Sequence, residues 1–128
     1  MTKKEIIGIV GGMGPYAGLE LVKKIFDLTE ANSDREHLSV FLLSMPSQIE
    51  DRTSYLLGEA TTNPAYAISK IILDLEKIGS SIVAIPCNTS HAPPIFNEII
   101  KNLEQNNSKV KLVQMIDEVA KFIQSDRP

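Results

Sequence analysis

The residues best suited to chemistry in this chain are the run Pro86-Cys87-Asn88-Thr89-Ser90-His91. The apolar stretch 81–86 ahead of it reads as a strand, so the thiol stands at a strand's carboxyl end and just before a helix. Amides at a helix N-terminus favour an anion there, and a thiolate is both a nucleophile and a workable proton acceptor. Asn88 and Thr89 add short polar groups and backbone donors of the kind that hold a carboxylate. His91, four residues on, shares a helical face with Cys87 if that helix starts early. A plainer reading stands beside this one. A free cysteine is often a small buried apolar residue, Asn-Thr-Ser is ordinary capping chemistry, and a histidine here packs or caps.

Two other segments carry polar or backbone chemistry. Gly12-Met13-Gly14-Pro15-Tyr16-Ala17 fits the spacing G-x-G-x-x-A, in which backbone approaches an anion at a helix start. A dinucleotide-binding module is therefore one reading. Against it, the second strand ends in Leu43-Ser44-Met45-Pro46, with no acid for a ribose, and no G-K-[ST] lysine follows the glycines. A tight turn that only packs strand on helix is the structural alternative. The third segment, Gln48-Ile49-Glu50-Asp51-Arg52-Thr53, offers a guanidinium, the side chain best shaped for a bidentate grip on a carboxylate. Arg52 paired locally with Glu50 or Asp51 is the competing expectation.

The elements that must position these residues alternate. Residues 6–10 form a short run apolar on both faces, as a central parallel strand requires. A helical stripe of Leu19, Val22, Ile25, Phe26 and Thr29 follows, then a polar loop at 32–37 and a second strand at 38–43. The long connection 47–58 holds a short helix within 51–57. Asn63 then caps a helix with Pro64 at its first position, a stripe of Ile68, Ile71, Ile72, Leu75 and Ile78, and Gly79 at its end. After the strand at 81–86, Phe96, Ile99, Ile100 and Leu103 mark another helix, closed by Asn106-Asn107. A fourth strand at 110–113 and a further helix beginning over 116–122 complete the pattern. The expectation is an α/β fold, an open parallel sheet of about four strands with helices on both faces in three αβα layers. Ligands of such sheets sit at the carboxyl ends of the strands, so the loops starting at Gly11, Ser44 and Cys87 should cluster.

Composition limits what this can be. The chain has 128 residues, 43% apolar, enough for one domain and too few for two large ones. A net charge of −3 without a basic stripe argues against nucleic acid as a partner. No apolar run approaches the roughly 20 residues of a membrane span, and the start lacks the build of a secretory signal. One cysteine excludes an internal disulfide and fits a cytoplasmic location; with two histidines it also makes a structural zinc site improbable.

Taken together, Gly11-Gly12-Met13-Gly14-Pro15, Gln48-Ile49-Glu50-Asp51-Arg52-Thr53 and Pro86-Cys87-Asn88-Thr89-Ser90-His91 resemble the aspartate/glutamate racemase family, in the order and spacing of its aspartate racemase branch. The resemblance runs along essentially the whole chain. It implies a pyridoxal-independent enzyme, needing no cofactor, built from two similar α/β domains with the active site between them. It implies that Cys87 moves the α-proton of a small dicarboxylic amino acid, aspartate or glutamate. It implies that Asn88 and Thr89 hold the α-carboxylate, and that Met13, Gln48 and Arg52 line the substrate pocket. Family members are commonly dimers, so a homodimer or a complementary C-terminal domain is the expected partner.

One departure matters. Family members are nearly twice this long and take a second thiol from their C-terminal domain. Racemisation by two bases needs groups on opposite faces of the α-carbon, because a single base returns the proton to the side it left. The expectation is an N-terminal racemase domain over roughly 1–115, with 116–128 beginning a second domain or a linker helix, and little turnover from these residues alone. The alternative is a non-catalytic binding or interaction domain whose exposed half-cleft pairs with another chain.

Overall fold

The computed structural model describes residues 5–115. The expected helix over 116–122 lies outside them. Four strands, β1 (Ile6–Gly11), β2 (Ser39–Ser44), β3 (Ile82–Ala84) and β4 (Lys111–Val113), pair in parallel in the order β2-β1-β3-β4. The helices are α1 (Pro15–Leu28), α2 (Arg52–Leu56), α3 (Ala65–Lys77) and α4 (Pro93–Gln105). Gly11 pairs with Ser44, and Ile9 is flanked by Leu42 on one side and Ala84 on the other. The strands therefore end close together at one edge of the sheet.

Chain direction dictates the layers. The step from β1 to β2 moves outward in one direction, and the step from β2 to β3 crosses back over β1. With right-handed crossovers these two connections must lie on opposite faces. Accordingly α1 packs on β1 and β2, while α3, also against those strands, packs beside α4. The core lies under α3 and α4. Ile68, Ile72, Leu75, Ile95 and Ile99 are fully buried with Val10, Val83 and Ile85, each such side chain contributing roughly 1.5–3 kcal/mol of transfer free energy.

Three details differ from the apolar patterns. Leu19 and Phe26 on α1 are 55% and 40% exposed, and Gly18 is the only buried residue of that helix. Among the described residues no other helix shares its sheet face, so part of its stripe has nothing opposite. Ile78 is exposed because α3 ends at Lys77 and the chain turns through Gly79, at φ +118. In α4 the buried line is Ile95, Ile99 and Leu103, with Phe96 and Ile100 only partly covered. A spacing of four is as compatible with a helix as the three-and-four alternation expected, and the face is set by the helix's start at Pro93.

Helix α3 starts at Ala65, one residue later than expected, with Pro64 at the N-cap, yet Asn63 still serves that helix's first amide. Its Oδ1 accepts from the Ala65 amide at 2.9 Å, and its Nδ2 donates to the Pro94 carbonyl at 3.0 Å, tying the starts of α3 and α4 together. Asn63→Ala should lower unfolding free energy by about 2 kcal/mol in urea denaturation, since both a cap and an interhelical bond are lost. Thr62→Ala, at the exposed neighbour, should stay within about 0.5 kcal/mol. Equal effects would contradict this role for Asn63.

Candidate active site

Three loops leave the carboxyl ends of β1, β2 and β3 and meet. Gly12 has φ +96, and a Cβ there would stand 2.9 Å from the Pro46 nitrogen and 3.1 Å from the Met45 nitrogen. The first loop is therefore pressed against the second in a way only glycine allows. Gly14 differs, since nothing lies within 4 Å of where its Cβ would be. The first loop also meets the third: Met13, 5% exposed, accepts a hydrogen bond from the fully buried Ser90 hydroxyl at 3.6 Å.

The second loop leads into α2. It passes through a 3-10 turn, Pro46–Gln48, whose last amide bonds to the Met45 carbonyl at 3.0 Å and whose Gln48 side chain is exposed. Asp51 then caps α2, accepting from the Ser54 amide at 2.8 Å and the Ser54 hydroxyl at 2.7 Å. Those two bonds, the hydroxyl's first, hold its carboxyl below the usual aspartate range. The cap fixes Arg52 as the first residue of α2, which packs against the third loop. The Arg52 Nη1 donates to the Glu50 backbone carbonyl at 3.3 Å. Among the described residues no carboxylate lies within ion-pair distance of Arg52. Its Nε is buried without a partner, so the local pairing with Glu50 or Asp51 side chains is not what occupies this guanidinium.

Cys87 is 8% exposed and free. The sequence suggested a turn over 87–94 leading into a helix, with a shared face for His91 and Cys87 only if that helix started early. A four-residue 3-10 turn, Asn88–His91, does follow, and α4 begins at Pro93. The two prolines at 93 and 94 suit a first helical turn, where no amide is needed, and so set the start of α4 there rather than at Cys87. His91 accordingly does not share an α-helical face with the thiol. Its Nε2 lies 2.9 Å from the Ile85 carbonyl oxygen.

The thiol's environment nonetheless favours an anion. Burial pushes its pKa up, but donors in the turn outweigh this and leave it below the ordinary cysteine value: the Ser90 hydroxyl, once it rotates from Met13 to the sulfur, then the Thr89 hydroxyl, the Ser90 amide and the charge of Arg52. Thr89 Oγ1 stands 3.2 Å from the sulfur. Ser90 was legible in the sequence only as capping chemistry; its burial against Met13 depends on a contact 77 positions apart, which spacing does not reveal. Asn88 is exposed and lines a cavity of about 280 Å³ with Ala17, Leu21 and Pro86 beside α1. A larger cavity, about 400 Å³, lies away from this cluster, around Phe26, Arg35 and His37 near the start of β2.

Comparisons with known proteins agree with the fold. The sequence profile of the Asp/Glu/hydantoin racemase family matches residues 10–125. A broad-specificity amino-acid racemase, RacX of Bacillus subtilis, is 27% identical over 126 residues, covering 92% of this chain and 49% of its own length. The aspartate racemase of Picrophilus torridus superposes with TM-score 0.79 at 31% identity, covering 94% of this chain and 48% of that one. An aspartate racemase homologue from Pyrococcus horikoshii, at 22% identity and TM-score 0.72, shares the fold over 95% of this chain and 49% of its own. The chain thus spans about half the length of the relatives it matches. It belongs to the Asp/Glu/hydantoin racemase family.

As the only cysteine, Cys87 can be followed by iodoacetamide alkylation. The rate should rise with pH through an inflection below that of an unperturbed thiol such as the one exposed when the chain is unfolded in urea. Thr89→Ala should move that inflection upward, because a donor to the thiolate is lost. An unperturbed inflection in the unmodified chain would contradict the site described.

Proposed function

From family membership as premise, we propose that this chain is one half of a cofactor-independent racemase site for an acidic amino acid, with Cys87 as its proton-transferring thiol. The observation that carries the reading is a thiol with lowered pKa beside an Arg52 that has no carboxylate partner among the described residues, in one cluster of loops. In the proposed step the Cys87 thiolate takes the α-proton. An S–H bond forms as the C–H bond breaks, and the electron pair passes into the substrate carboxylate. Arg52 and the donors of Asn88 and Thr89 would stabilise the charge that develops there, and Met13 and Gln48 would border the substrate. A second acid on the opposite face returns a proton and completes inversion. The described residues contain no second thiol, so the proposal assigns that acid to another domain or chain. Aspartate and glutamate both fit the carboxylate-binding chemistry.

A second reading, a non-catalytic interaction domain, draws support from the exposed apolar residues of α1: Tyr16 at 78%, Leu19 at 55% and Leu28 at 85%. It predicts a stable complex with a second chain by size-exclusion chromatography with light scattering. A well-folded monomer of 14.1 kDa that captures no second chain would count against it.

The leading reading is tested with both halves of the cleft present. Aspartate or glutamate in D2O should gain α-deuterium with inversion, and Cys87→Ser should reduce net racemisation by at least about 10²-fold. Racemisation at an undiminished rate in that variant would overturn the assignment of Cys87.

A further inference from the structure

His91 is a buried titratable residue that the proton-transfer scheme leaves unused. It is 3% exposed and stacks on Phe96, with ring centroids 5.1 Å apart. Its Nε2 lies 2.9 Å from the Ile85 carbonyl oxygen. A carbonyl only accepts, so Nε2 carries the hydrogen. Nδ1 is buried and has no hydrogen-bond partner among the described residues. The contact with Ile85 is thus the ring's one hydrogen bond there.

The Ile85 carbonyl has a second donor. The Cys87 amide bonds to it at 2.8 Å, closing a tight turn across Pro86. Both lone pairs of this oxygen are used, one by the residue that bears the thiol and one by a ring at the far end of the Asn88–His91 turn. The two hydrogen bonds bracket Cys87, Thr89 and Ser90. A shift of the turn by a few tenths of an ångström would change how the Thr89 and Ser90 donors meet the sulfur.

We propose that His91 is a positioning residue: by donating from Nε2 to the Ile85 carbonyl it locks the strand end to the following turn and holds the Cys87 sulfur among its donors. It acts through the backbone and does not touch the reacting atoms. The inference rests on the reading of Cys87 as the functional thiol.

A histidine that merely fills space needs its ring, whereas a positioning histidine needs a donor at Nε2. Glutamine places an amide N–H close to where Nε2 sits, asparagine places one nearer Nδ1, and phenylalanine keeps a ring with no donor. Alkylation of Cys87 against pH, on the intact chain with thermal melts alongside, separates the two roles. His91→Gln should keep the low inflection of the unmodified chain. His91→Phe and His91→Asn should move it upward and slow alkylation at pH 7 by at least about threefold. If His91→Phe folds and titrates like the unmodified chain, or if His91→Gln shifts as far as His91→Phe, the proposal is overturned. Should His91→Phe fail to fold, the Gln and Asn variants decide, and identical inflections in those two overturn it. An unperturbed inflection in the unmodified chain brings down the reading of Cys87 itself, and this proposal with it. A low one matched by His91→Phe defeats only the role of His91.

Discussion

A central parallel strand with a parallel neighbour on each side forces three loops to emerge together, and everything at the candidate site follows from that. β1 lies between β2 and β3, so the segments after Gly11, Ser44 and Ala84 have no choice but to share one edge. What remains for side chains is to fix the loops against each other. Gly12 does so by lacking a Cβ where Met45 and Pro46 pass, and Ser90 does so by reaching Met13 from the third loop. Neither contact is chemical in itself. Both keep Arg52, Met13 and Cys87 within one neighbourhood.

The electrostatics of the thiol are a contest between burial and donors. The thiol of a cysteine only 8% exposed would ordinarily stay protonated, since desolvation penalises the thiolate. Short-range hydrogen bonds from a turn of four residues reverse that balance, with the guanidinium of Arg52 adding to it. The same donors that favour a thiolate are suited to a carboxylate, and under the proposed function they would serve both. Under that same proposal the thiol would serve one face of a bound α-carbon, and the opposite face would be served by a different domain or chain.

Much of this was readable from residue types. Alternating apolar runs specify the parallel sheet, and the Asn63-Pro64 pair specifies the start of α3. Cys87, Arg52 and Met13 belong to loops that sheet topology alone brings together. Three features were not readable. The apolar stripe of α1 predicts burial, but exposure depends on what packs on that face of the sheet, and among the described residues no other helix does. The turn after Cys87 is legible, but whether the following helix starts early enough to carry His91 on the thiol's face is not, and Pro93 and Pro94 set that start later. The hydrogen bond of His91 to Ile85 and that of Ser90 to Met13 depend on how backbone and loops are folded, and no local spacing encodes them.

The central claim, that the Arg52 guanidinium and the Cys87 turn form one anion-holding pocket, is tested most directly by following the Arg52 Nε–H resonance in nitrogen-15 correlation spectra during a titration with succinate. The account predicts a saturable shift of that buried, unpartnered group, together with the backbone amides of Met13, Asn88 and Thr89. Shifts confined to the Arg35 and His37 cavity near the start of β2, with Arg52 unmoved, would contradict it.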